Sequence, residues 1–122
     1  MTLRLFFDGG CRPNPGKMES AVVARGITYF QPDLGNGDNN DAEWLALLHA
    51  LDVAKSLGAE DVELVGDSAY VVAQARGKTP CRRGHWMEFQ ARAKDFAKIR
   101  VRRVPRSRNL AGIALDRVRN GI

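Results

Sequence analysis

Cysteine and histidine are scarce, with two of each in 122 residues. Cys11 and Cys81 cannot build a disulfide framework, and neither they nor His49 and His85 stand at zinc-ligand spacings; both thiols are expected to be reduced. Long apolar runs are missing too, since none approaches the ~18–20 residues of a membrane span. The N-terminal MTLRLFFDGG lacks the long apolar stretch and cleavage site of a signal peptide, so a cytoplasmic location is expected. Without repeats, low-complexity tracts or linkers, residues 1–122 are expected to form one domain, large enough to bury a core of its own. Acid is in deficit: 14 Asp and Glu stand against 19 Lys and Arg, a net charge of +5. That excess suits a polyanionic partner.

What is present punctuates the chain clearly. Leu3 to Phe7 reads as a strand stopping at Asp8-Gly9-Gly10, before a Gly/Pro-rich loop from Cys11 to Gly16. Ala21–Ala24 and Ile27–Phe30, split by Arg25-Gly26, read as a hairpin. After a loop from Pro32 to Asn40, the residues Trp44, Leu47, Leu48, Leu51 and Lys55 share one helical face, so a helix is expected from Asp41 to Leu57, stopped by Gly58. Further strands are expected at Val62–Val65 and Ile99–Val104. Helices are expected at Ser68–Arg76, from Trp86 to Phe96 and at Leu110–Arg119, with a basic loop at Lys78–Gly84 that holds Arg82 and Arg83. This order implies a hairpin meander joined to parallel strands by helical crossovers, hence one mixed sheet covered by helices.

Three acids stand at matching places in that order. Asp8 and Asp67 each follow a strand, and Glu43 opens the long helix. In open α/β sheets ligands collect at the carboxyl ends of strands, and a right-handed crossover through the long helix would make the first strand and Val62–Val65 parallel neighbours. Converging carboxylates repel unless a divalent cation neutralises them, and all-oxygen ligation selects Mg²⁺ or Mn²⁺. Each acid also has an ordinary reading: Asn40 and Glu43 fit a capping box, Asp67 or Ser68 fits a helix cap, and Asp before Gly is a common turn former.

The motifs carrying these acids resemble the type 1 ribonuclease H family. The resemblance rests on Asp8-Gly9-Gly10-Cys11 with Asn14-Pro15-Gly16, on Asn39-Asn40-Asp41-Ala42-Glu43-Trp44-Leu45-Ala46-Leu47, on Asp67-Ser68-Ala69-Tyr70-Val71 and on Val104-Pro105-Arg106-Ser107-Arg108-Asn109, in the family's order across residues ~3 to ~119. It implies an α/β ribonuclease H-like fold, with a five-stranded mixed sheet and helices packed on both faces. It also implies an endonuclease that cuts the RNA strand of RNA/DNA hybrids, with two Mg²⁺ ions (Mn²⁺ as a substitute) held by Asp8, Glu43 and Asp67. The 2′-hydroxyls that mark RNA would be sensed by backbone amides around Gly10, Cys11 and Arg12 and by the side chains of Asn14 and of Asn39 or Asn40. A monomer is the expected state.

The chain also departs from the family pattern. Ala69 stands where a glutamine is common, and the basic protrusion of many members is missing. Arg106 and Arg108 replace a mobile histidine, and arginine can hold phosphate but does not shuttle protons near neutral pH. The fourth family carboxylate falls at Ile113, with Asp116 three residues on as its candidate substitute. His49 and His85 are expected to be surface or packing residues, and Cys11 has no base partner that would make it a nucleophile. A rival reading is a non-catalytic nucleic-acid-binding module of the same fold, using a basic face of Arg82, Arg83, Arg100, Arg102, Arg103, Arg106 and Arg108. A binder would gain nothing from clustered acids facing a polyanion.

Overall fold

A computed structural model describes residues 1–81 and 84–121; Arg82 and Arg83 of the expected basic loop lie outside the described residues. The elements are β1 (Leu3–Arg12), β2 (Gly16–Ala24), β3 (Ile27–Gln31), β4 (Asn36–Gly37), α1 (Asn39–Ser56), β5 (Asp61–Gly66), α2 (Ala69–Ala75), α3 (His85–Ala93), β6 (Lys98–Arg103) and α4 (Leu110–Arg119), with a 3₁₀ turn at Arg106–Arg108 before α4. The sheet order is β3-β2-β1-β5-β6. β1 pairs antiparallel with β2 and parallel with β5, and β5 pairs parallel with β6. The expected five-stranded mixed sheet is present, and β4 adds a two-residue ladder against Gly16 and Lys17 inside the stretch read as a loop.

Alternation along the strands assigns the two faces. Leu5, Phe7, Val22, Ala24, Val62 and Leu64 join the main core with Trp44, Leu47 and Leu51 of α1, Val71 of α2 and Phe89 of α3. The intervening Phe6, Ala21 and Val23 turn the other way, onto Ala111 and Leu115 of α4. Helices therefore cover both faces, as expected, with α4 alone on the second.

Several boundaries differ from the sequence reading, among them the start of β2, which lies at Gly16 rather than Ala21. β1 continues to Arg12 because β2 pairs with it through Lys17, so the glycines after Asp8 lie within a strand. Asp8 is thus a mid-strand residue opposite Ala21, although the parallel pairing with β5 stops at Phe6 and Val65. The cap of α1 is Asp38, in a capping box with Asp41, rather than Asn40 with Glu43. α3 ends at Ala93, and Phe96 packs against the core from beyond it.

Candidate active site

The parallel pairing of β1 with β5 ends at Phe6 and Val65, two residues before the acids Asp8 and Asp67. Asp8 continues β1 beside α4, and Asp67 leaves the end of β5. Glu43 arrives from α1. The helix can press onto β1 because position 9 is glycine, where a β-carbon would collide with the carbonyl of Ala42. At that distance the Gly9 amide donates to Glu43 Oε1 at 2.8 Å. The result is three carboxylates, each with one oxygen within 4.8 Å of the others. Asp8 is 1% exposed and Glu43 8%.

These acids are poorly compensated. Asp8 Oδ2 and Glu43 Oε2 are buried without a hydrogen-bond partner among the described residues. Burial pushes the Glu43 carboxyl well above its ordinary range, and the facing Asp8 pushes it further. Asp8 is also raised, chiefly by burial, with Glu43 and Arg106 pulling the other way. A shared proton relieves such a pair, and so does a hard cation. Three oxygen donors and two orphaned buried oxygens are the donor chemistry that Mg²⁺ or Mn²⁺ takes.

The sequence marks Asn109 only as the end of the motif before the last helix, yet the structure makes it a member of the site. It is fully buried and caps α4 by accepting from the Ala111 amide. Its Nδ2 donates to Phe7 O at 3.0 Å and to Asp67 Oδ1 at 2.6 Å. One side chain therefore ties β1, α4 and the third carboxylate together. The only local signal was an asparagine before an amphipathic run, which reads as a cap and nothing more. Ser68 takes the cap of α2 through its bond from the Val71 amide, leaving the Asp67 side chain to the cluster.

Arg106 reaches across the site from the 3₁₀ turn. Its Nη1 lies 2.9 Å from Asp8 Oδ1 and 3.6 Å from Asp67 Oδ1, and its Nη2 donates to Asp116 Oδ1 at 3.1 Å. Asp116 itself lies outside the three-carboxylate cluster, on the exposed side of α4, with Arg106 between it and Asp8. Ile113 is partly exposed. Arg108 is exposed in the same turn.

The turn and asparagines expected to sense 2′-hydroxyls are drawn together in part. The Cys11 amide donates to Asn39 Oδ1 at 3.3 Å, and the Asn39 amide donates to Asn14 Oδ1 at 3.2 Å, which fastens the β1–β2 turn to the start of α1. Gly10 and Arg12 flank this knot. Asn40 stands apart from it, in a cleft with Trp44, Tyr70 and His85. Cys11 is buried against Met18 and Ala42. Neither histidine joins the carboxylate cluster. His49 is buried against Ser20 Oγ at 2.9 Å, and His85 pairs with Asp41 at 3.0 Å while stacking on Trp44.

The model of a family described as reverse transcriptase-like matches residues 6–115. The chain belongs to that family. Among curated proteins it is 33% identical over 129 residues to Ribonuclease HI of Halobacterium salinarum, covering 91% of this chain and 63% of that protein. It is 34% identical over 124 residues to Bifunctional protein Rv2228c of Mycobacterium tuberculosis, covering 89% of this chain and 34% of that protein. The chain thus spans about a third of one relative and under two thirds of the other. The crystal structure of RNase H1 from Halobacterium salinarum superposes with a TM-score of 0.84 at 28% identity, covering all of both chains. The fold is that of type 1 ribonuclease H.

The expected basic face is less uniform than its sequence suggests. Arg102 pairs with Glu63 at 3.4 Å and Arg100 approaches Asp61 at 4.0 Å, both acids lying on the neighbouring β5. Arg103 donates to the backbone carbonyl of Asp67, and Arg106 is engaged by the carboxylates. Cross-strand pairing therefore offsets part of the charge that the rival binding reading would use.

Proposed function

We propose that the protein is a divalent-cation-dependent endonuclease of the ribonuclease H type, hydrolysing the RNA strand of RNA/DNA hybrids. The observation that carries this reading is the convergence of Asp8, Glu43 and Asp67 with two buried, unpartnered carboxylate oxygens. A site built for stability alone does not leave such groups uncompensated. The relatives called ribonuclease H supply the reaction class.

Asp8, Glu43 and Asp67 would hold two Mg²⁺ ions. When bound, such a pair activates a water for in-line attack and stabilises the leaving 3′ oxygen. The protein's own groups do the rest. Glu43 and Asp8, whose carboxyls burial raises, would be held ionised by the ions they ligate. Asn109 fixes the Asp67 carboxylate through its 2.6 Å bond. Arg106, permanently charged and half-exposed, holds a phosphate oxygen once it gives up Asp8. The segment from Gly10 at the end of β1 to Asn14 in the turn, clamped to Asn39, presents polar groups to the ribose edge, where a 2′-hydroxyl distinguishes RNA from DNA.

The test is incubation with labelled RNA/DNA hybrid, duplex RNA and duplex DNA, with Mg²⁺ or with excess EDTA. Cleavage of the hybrid's RNA strand only when Mg²⁺ is present is the expected result. Cleavage that persists in EDTA, or equal cleavage of duplex DNA, overturns the reading.

A further inference from the structure

Beside the carboxylate site, the tip of the β1–β2 hairpin and the end of α4 enclose a second cleft of 370 Å³, lined by Arg12, Lys17, Glu19 and Arg119 with Phe30 and Val118 as apolar walls. Arg12 and Lys17 are direct cross-strand partners and both are exposed. Arg119 comes from the last turn of α4 and lies over Gly10, where a β-carbon would strike its guanidinium. Gly10 therefore makes room for a cation beside the strand that carries Asp8.

The cleft is incompletely neutralised. Arg119 Nε donates to Glu19 Oε1, yet its Nη2 is buried without an acceptor among the described residues. Leaving a buried donor of this kind unpaired is costly, and three cations meet one carboxylate here. Two guanidinium groups and an ammonium lining one cleft beside a single carboxylate match the oxygens of a phosphodiester. Alternation places Asp8, Gly10 and Arg12 on the same side of β1. Four residues of strand separate Asp8 from Arg12, about 13 Å at ~3.3 Å each, a span of a few nucleotides at about 3.4 Å of axis each.

We propose that the Arg12–Lys17–Arg119 cleft is a second phosphate site, taking a backbone phosphate of the same strand a few nucleotides from the one at the carboxylates. The cleft grips the strand at a distance and takes no part in the chemistry. This rests on the nuclease reading, because that reading lays a strand across Asp8 and the hairpin.

The experiment measures binding of the whole chain to a fluorescent hybrid of about 20 base pairs in EDTA, between 50 and 200 mM salt, for wild type, Lys17→Gln and Arg119→Gln. Each phosphate contact adds about 0.9 to the log–log salt slope. Wild type should therefore lose roughly 3.5-fold more affinity across that range than Lys17→Gln does. A hybrid too short to reach the cleft should bind wild type and variants alike. Lys17 is exposed, so its variant is expected to fold, and Arg119→Lys restores binding if charge is what counts. Equal slopes and affinities for wild type and Lys17→Gln on the long hybrid overturn the cleft while leaving the nuclease reading intact. If wild type cuts no hybrid with Mg²⁺ present, the nuclease reading falls and the cleft falls with it.

Discussion

Two sets of buried polar groups in this molecule are treated in opposite ways. Around the main core Trp44, Gln74 and His49 are paired: Trp44 Nε1 donates to Gln74 Oε1 at 2.7 Å, Gln74 Nε2 donates to Pro80 O at 2.9 Å, and His49 meets Ser20 at 2.9 Å. At the end of the parallel ladder, Asp8 Oδ2 and Glu43 Oε2 are as deeply buried and have no such partner. The first set closes seams between elements and is spent on stability. The second costs stability, a cost that three converging carboxylates recover when a cation binds them. Removing a group from each set should therefore have opposite consequences.

The largest effect is expected at the carboxylates. Asp8→Asn or Glu43→Gln should lower hybrid cleavage on the order of 10³-fold or more, since transition-state stabilisation is lost. In EDTA the same variants should melt above wild type, because a neutral amide lifts repulsion and the burial of charge. Gln74→Ala should do the reverse: about 1–3 kcal/mol of stability lost by orphaning Trp44 Nε1, with cleavage below the melting temperature nearly unchanged. Calorimetry and a cleavage assay on the same preparations check both, and a destabilised, active Asp8→Asn would erase the contrast.

Next in size is the response to Mg²⁺. A cation that binds only the folded state stabilises it by about 2.7 kcal/mol at a hundred times its dissociation constant. The melting temperature of wild type should climb with Mg²⁺, and that of Asp8→Asn should stay flat. Equal shifts in the two would locate the cation elsewhere.

The pH dependence should be smaller and opposite in sign in the two regions. Burial raises Asp8 and Glu43, so the stability they contribute without metal is full below the ordinary carboxylate values of 3.8 and 4.5 and is lost as pH rises through their folded values. Burial lowers His49, so its contribution is full above the ordinary 6.5 and is lost as pH falls below it. Unfolding titrations in EDTA should show the alkaline loss diminished by Glu43→Gln and the acid loss diminished by a neutral replacement at His49. A Glu43→Gln profile parallel to wild type would remove the basis for a proton held between Glu43 and Asp8.

The smallest effect is expected at Asp116, which touches the site only through Arg106. Asp116→Asn should cut turnover a few-fold, a deficit on the order of 1 kcal/mol, and the deficit should shrink as Mg²⁺ rises. Loss as deep as that of Asp8→Asn at saturating Mg²⁺ would make Asp116 a ligand in its own right.

Legibility followed the range of the forces involved. The long helix announced itself through Trp44, Leu47, Leu48 and Leu51, because a helix buries one stripe and that stripe is written at fixed spacing. Its start lies two residues before the expected Asp41 because Asp38, Asn40 and Asp41 all suit a cap, and the capping bonds select Asp38. The end of β1 is not legible locally because Gly9 and Gly10 are turn residues by composition, while their pairing with Ser20 and Glu19 is decided by a partner strand. The carboxylates were visible as acids at element ends, but the role of Asn109 was not, since its bonds to Phe7 and Asp67 span 102 and 42 residues.

The sequence by itself determined the long helix and the central stretches of the main strands, the alternation that sends Leu5 and Phe7 to one face and Phe6 to the other, and the motif positions of Asp8, Glu43 and Asp67, because these rest on short-range periodicity and residue chemistry. Only the tertiary structure decided that Gly9 admits α1 closely enough to bury Glu43, that Arg106 rather than Asp116 faces the carboxylates, and that Arg119 lies beside Arg12 and Lys17. Those are distances between elements far apart in the chain, set by how two faces of one sheet pack, and no local pattern encodes them.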